Sequence, residues 1–155
     1  TGYLIPVVLV GVCNVTTGLL MQRGARPQVL LCGALLVQCG IWWLLPVTGS
    51  GISGLTSLVI YGITSGIAPT CLFALSAQLV ARAEETARAF GVTMTGRNLG
   101  VLGGPLLLAF AMEVSGWQAG MMLFAGLASL SVALSLLLIV LVPRAEAQFR
   151  LGTQV

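Results

Sequence analysis

Arg97 is the one charge set well inside an otherwise apolar stretch, and Asn98 follows it directly. A guanidinium at such a position can hold an anion or make charge-assisted hydrogen bonds to a neighbouring segment. Placing it there costs about 2.5–3.5 kcal/mol on insertion scales, so it is expected to face a cavity or a partner. The alternative is that it snorkels back to the water boundary. Asn14 lies nine residues before Arg23, just as Arg97 lies nine residues past Arg88. In a helix each offset is about 13 Å, so the two polar groups sit at matching depth. A second polar stripe, Ser57, Tyr61, Thr64 and Ser65, recurs at helical spacing and runs into Gly66, Pro69 and Thr70. Tyr61 offers an aromatic face and a hydroxyl to an amphipathic solute, whereas Ser, Thr and Gly equally serve as small helix-packing residues.

These residue types recognise; they do not make or break bonds. The chain has no His and no Asp, and Ser76, Ser115 and Ser129 have no base near them in sequence. Cys13, Cys32, Cys39 and Cys71 form no C-x-x-C pair and read as small apolar residues, not metal ligands or disulfides. No cofactor or metal is expected, and an intramembrane enzyme would lack its nucleophile–base or metal cluster. Glu113 reads as a solvated residue at a segment end, and Glu84 and Glu85 as surface charges beside Arg82 and Arg88.

The elements that carry these groups follow from composition. Of 155 residues, 57% are hydrophobic and 7% charged, and the mean hydropathy is +1.05. A soluble domain carries roughly 25% charged residues, so the chain reads as an integral membrane protein. Seven Arg and four Glu give a net charge of +3, too little for a nucleic-acid-binding stripe.

Crossing a bilayer takes about 20 mainly apolar residues. Five stretches qualify: 3–22, 28–47, 53–80, 90–112 and 117–142. The expected fold is all-α, a polytopic bundle over 1–143 with a tail over 144–155. The Pro46–Gly51 cluster marks a hairpin turn, and Pro143-Arg144 is expected to end the last apolar helix. The run Leu136–Val142 does not alternate as a barrel strand would. Arg23, Arg26, Arg82, Arg88, Arg144 and Arg150 all fall on one side, which is expected to be cytoplasmic, with the C-terminus. Tyr3, Trp42, Trp43 and Trp117 collect on the other as an interfacial belt. This topology starts outside with no signal peptide, so at least one further N-terminal helix is expected, and the sequence reads as a fragment.

Gly18-Leu19-Leu20-Met21-Gln22-Arg23-Gly24-Ala25-Arg26 resembles the loop signature of the major facilitator superfamily. Gly18, Arg23 and Arg26 fall on its glycine and basic positions; Gln22 replaces the acid and Ala25 the second glycine. Gly91, Gly100, Gly104 and Pro105, with Gly96 on the same ladder, resemble the family's glycine-proline antiporter motif. Leu108 and Ala109 stand in place of its final glycine pair. Spacing by four puts Gly96, Gly100 and Gly104 on one face, where a neighbouring backbone is expected to approach closely.

The resemblance implies five helices of a six-helix half. Helices eight to twelve suit the degenerate loop and Arg97-Asn98-Leu99-Gly100, although helices two to six fit the internal repeat as well. It also implies that the first and fourth segments are neighbours along the seam between halves. Asn14 or Thr17 is therefore expected to contact Arg97 or Asn98. The third segment, with Tyr61, Thr64 and Ser65, would line the central cavity.

The leading function is then a secondary transporter moving a small solute by alternating access, either coupled to a proton or ion gradient, in the absence of a nucleotide-binding loop, or working by facilitated diffusion. Its partners are the solute, the lipid bilayer and the further helices of the same protein. A non-transporting scaffold is the alternative. The richness in Ala, Gly and Arg without Lys points to a GC-rich bacterial genome and hence to the inner membrane.

Overall fold

The computed structural model describes the backbone of residues 4–45, 51–80 and 83–152 and the side chains of 4, 7–45, 51–80 and 85–141. Tyr3, residues 46–50 of the expected turn, Arg82, the Glu84 side chain and the side chains of the tail lie outside the described residues.

Every described element is helical. The first three are α1 (Leu4–Gln22), α2 (Pro27–Leu44) and α3 (Ile52–Gln78). A last run, Ala83–Gly152, leaves helical geometry at Gly116, with φ 80° and ψ 174°. That backbone region is essentially reserved for glycine, so Gly116 divides the run into α4 (83–115) and α5 (117–152). The two fold against each other just beyond the break: a Cβ on Gly120 would meet Leu108 Cδ1 at 3.1 Å and Met112 Cγ at 3.2 Å.

The α1–α2 loop is built by its own backbone. Ala25 N–H bonds the Leu20 carbonyl at 3.1 Å and Gly24 N–H bonds that of Met21 at 3.0 Å. This is a Schellman closure, and it needs a left-handed residue at Gly24, where φ is 94°. Arg26 is extended (φ −76°, ψ 121°) ahead of Pro27 in the first turn of α2, as a residue preceding proline prefers.

α1 packs on α3, α3 on α2, and α2 on the α4–α5 run. A small core joins α2 to α3 through Leu31, Cys71 and Leu75, with Leu138 of α5 packed against it. α5 is tied to α2 by Trp42 stacked on Phe124 at 5.1 Å and by the Trp43 indole N–H donating to Ser129 Oγ at 3.2 Å. α4 meets α3 through Phe73–Phe90 edge contact at 5.8 Å and a 2.9 Å Ser76–Thr93 hydroxyl pair.

α2, α3 and the run from Glu85 to Leu141 are long and apolar enough to cross a membrane. Large apolar side chains stand exposed along the bundle, among them Val92 at 74% and Leu102 at 69%. Apolar surface on this scale marks contact with lipid or with other helices.

One expectation about the elements changes. The helix continues through Pro143 to Gly152, so bundle and tail share one helix. A proline removes one backbone bond yet leaves those on either side, and membrane helices tolerate it; Pro69 inside α3 is a second case. Trp42 is partly buried, its ring taken up between Phe124 and Tyr61. Trp43 and Trp117 stay exposed.

Candidate functional site

The deepest polar contact between α1 and its neighbours is not with Arg97. Thr70 Oγ1 donates to Asn14 Oδ1 at 2.8 Å, joining α1 to α3. Thr17 is buried and its hydroxyl donates to the Cys13 carbonyl at 2.6 Å. The expected contact of Asn14 or Thr17 with Arg97 or Asn98 is therefore absent from the described residues. The reason lies one turn away. Gly66 lets α1 and α3 approach so closely that a Cβ there would lie 2.6 Å from the Val10 carbonyl oxygen and 2.8 Å from Cys13 Cβ. That close crossing sets Thr70 opposite Asn14 and leaves α4 on the other side of α3.

Interhelical hydrogen bonds within membranes contribute about 0.6 kcal/mol on average and up to about 1.7 kcal/mol. A double-mutant cycle with Asn14→Ala and Thr70→Val is expected to return a coupling in that range from equilibrium unfolding in detergent. Zero coupling would contradict the α1–α3 pairing.

Arg97 instead borders a cavity of about 580 Å³ between α2, α3 and α4, together with Gln38, Ser65, Pro69 and Gly96. Ser65 Oγ is buried without a hydrogen-bond partner. Pro69, four residues on, has no N–H to pair with the Ser65 carbonyl. Gln38 and Arg97 make no hydrogen bond or ion pair among the described residues. Arg97 is exposed and so stands at the rim. Ala68, Leu72, Phe73 and Val92 supply apolar wall. Three polar groups without partners thus converge on one apolar-walled space, whose volume lies within the roughly 300–1,000 Å³ typical of ligand sites.

The polar stripe on α3 splits. Ser65 enters this cavity. Thr64 is buried and its hydroxyl turns back to the Ile60 and Tyr61 carbonyls, both at 3.1 Å. Ser57 likewise donates to the Ser53 carbonyl at 3.0 Å. Tyr61 borders a smaller space of about 280 Å³ with Ile41, Trp42 and Leu58. Asn98 is exposed and forms no part of the cavity wall. Glu113 is exposed as well.

The glycine ladder makes room and not contact. At Gly91, Gly96, Gly100, Gly103 and Gly104 no heavy atom lies within 4 Å of an added Cβ, so the expected close backbone approach does not occur there within the described residues. Gly96 borders the Arg97 cavity. Gly100, Gly103 and Gly104 line a neighbouring space of about 320 Å³ that also touches Gln38 and Trp42. In the loop, Gly18 has open space around it, while Arg23 and Arg26 are exposed.

Gln38 is the residue that sequence reasoning passed over. Its signal was plain enough: an amide in the apolar stretch Val29–Leu45, which otherwise holds only small or apolar groups.

No curated protein and no solved structure matches the chain. The family model of the Major Facilitator Superfamily matches residues 1–154. The chain is an all-helical integral membrane protein and belongs to the Major Facilitator Superfamily, a family of secondary transporters.

Proposed function

We propose that the full-length protein moves a small solute across the membrane by alternating access, and that the cavity between α2, α3 and α4 forms part of the solute path. The observation that carries this is the convergence of Arg97, Gln38 and the partnerless Ser65 hydroxyl on one apolar-walled space. Polar groups left open in a membrane helix bundle are costly, and a solute that passes through is a reason to keep them open. Asn98, Tyr61 and Thr64 take no direct part in this site; Asn14 serves the α1–α3 seam.

Coupling to a proton or ion gradient fits a chain without a nucleotide-binding loop. Helices eight to twelve remain the preferred assignment, on the resemblance of the loop at Gly18–Arg26 and of the Gly91–Pro105 element. On that assignment the open glycine face of α4 lines the space between the two halves, where gating movements need room. Arg23, Arg26 and Arg88 stand at helix ends of one side of the bundle, which supports a cytoplasmic assignment for that side and for the C-terminus. The bacterial inner membrane suits the composition.

The test is flux. Full-length protein in sealed liposomes is expected to give saturable counterflow of its solute, absent from empty liposomes. A protein that folds and inserts but exchanges no solute with any gradient imposed would favour the scaffold alternative.

A further inference from the structure

Resting on the transporter reading, we propose that the cavity takes a small organic monoanion, a carboxylate with an apolar body, with Arg97 as counter-charge and Gln38 and Ser65 as neutral hydrogen-bond partners. Three features select this class.

The first is charge. Among the described residues Arg97 is the only ionisable side chain bordering the cavity. Glu85 and Glu113 of the same helix do not reach it. They are 12 and 16 residues away in sequence, roughly 18 and 24 Å along the helix at about 1.5 Å per residue. Both are exposed. A cationic solute would meet repulsion from the guanidinium with no carboxylate among the described lining residues to offset it.

The second is valence and shape. One guanidinium presents a planar fork that matches one carboxylate with two parallel hydrogen bonds. A dianion such as a phosphate monoester would leave a net negative charge among apolar walls, which is strongly unfavourable in a low-dielectric site. A monoanion neutralises Arg97 and at the same time relieves the insertion penalty of the arginine itself.

The third is the balance of the wall. Apart from Thr93, whose hydroxyl is paired with Ser76 and the Ala89 carbonyl, the rest of the wall is Ala68, Pro69, Leu72, Phe73, Val92 and Gly96. An apolar body gains by covering it, whereas a sugar or other polyol would leave most of its hydroxyls unpaired. The Ser65 hydroxyl and the Gln38 amide can each donate to an oxygen that the guanidinium leaves open.

The experiment uses three matched probes, phenylacetate, phenylacetamide and phenethylamine, with purified full-length protein and equilibrium binding as readout. Phenylacetate is expected to bind, and the amide and amine to bind about ten- to a hundredfold more weakly, the loss of a charge-assisted contact. Arg97→Gln is expected to remove the preference for the anion. Arg97→Lys, which keeps the charge without the fork, is expected to retain part of it. Monodispersity of each variant in detergent separates lost binding from lost folding, and the graded Lys result guards against a variant that merely loosens the helix. No binding of phenylacetate, equal binding of all three probes, or an anion preference unchanged in Arg97→Gln overturns the proposal. Flux of a neutral or cationic solute without anion binding would leave the transporter reading standing and remove this one. Anion binding at Arg97 with no flux of any solute would do the reverse.

Discussion

Gly66→Leu is expected to yield no stably folded protein, and Gly66→Ala a fold weakened by about 1–3 kcal/mol, the usual range for overpacking a close contact. The argument is geometric. A Cβ at Gly66 would lie 2.6 Å from a backbone oxygen and 2.8 Å from Cys13 Cβ. Backbone cannot swing aside as a flexible side-chain end can, so α1 must move off α3. That displacement also pulls Thr70 from Asn14, whose 2.8 Å bond sits beside the crossing. Equivalent changes on the glycine ladder are expected to be harmless to the fold: at Gly100 nothing lies within 4 Å, and Gly→Ala in a helix gains about 0.5–1 kcal/mol. Thermal unfolding of Gly66→Ala and Gly100→Ala in the same detergent checks the contrast. Equal stability of the two would mean that α1 and α3 do not cross at Gly66.

Gly96→Trp is expected to leave folding intact and to reduce solute flux at least about tenfold. Gly96 borders the Arg97 cavity, and its Cβ position is open for 4 Å around. The new side chain therefore meets no obstacle in the bundle and places an indole, with about 150–250 Å² of surface to bury, into the proposed solute path. Loss of flux would follow from occupancy of that space. Leu130→Trp, at an exposed α5 position outside the cavity wall, is the matched control and is expected to transport normally. Flux assays in liposomes with equal protein incorporation measure both.

Much of the architecture was legible in the sequence because the bilayer imposes a simple rule on composition. Long apolar runs separated by Pro, Gly and Arg must become helices, and α1, α2 and α3 lie within a few residues of the stretches read from hydropathy. A break between the last two stretches, 90–112 and 117–142, was legible too, and it falls at Gly116. The neighbours of each helix were not. Period and spacing say which residues share a face, and they do not say which helix covers it. Two glycine features illustrate the gap. The Gly96–Gly100–Gly104 ladder has the spacing of a packing face and borders open space, whereas the shorter Gly62-x-x-x-Gly66 pair of α3 carries the tightest described crossing, at Gly66. The loop repeats the lesson: Gly24 supplies the left-handed turn, while Gly18, on the signature's glycine position, meets nothing.

The candidate site was half legible. Arg97 and Ser65 stood out as a charge and a hydroxyl inside apolar runs, and both border the same cavity. Tyr61 and Thr64 share their helix with Ser65 but not its surroundings. A hydroxyl in a helix can always bond back to the preceding turn, as Thr64 does, so polarity alone does not mark a binding group. Gln38 joined the site only when α2 was placed against α3 and α4.

The most direct test of the cavity as solute path is protection of a cysteine placed at Ser65. In full-length protein with Cys13, Cys32, Cys39 and Cys71 replaced by alanine, Ser65→Cys would be alkylated with a small thiol reagent over a series of solute concentrations. The account predicts that alkylation slows as solute saturates flux, with the same half-saturating concentration in both measurements. An alkylation rate indifferent to solute, while flux still saturates, would contradict it.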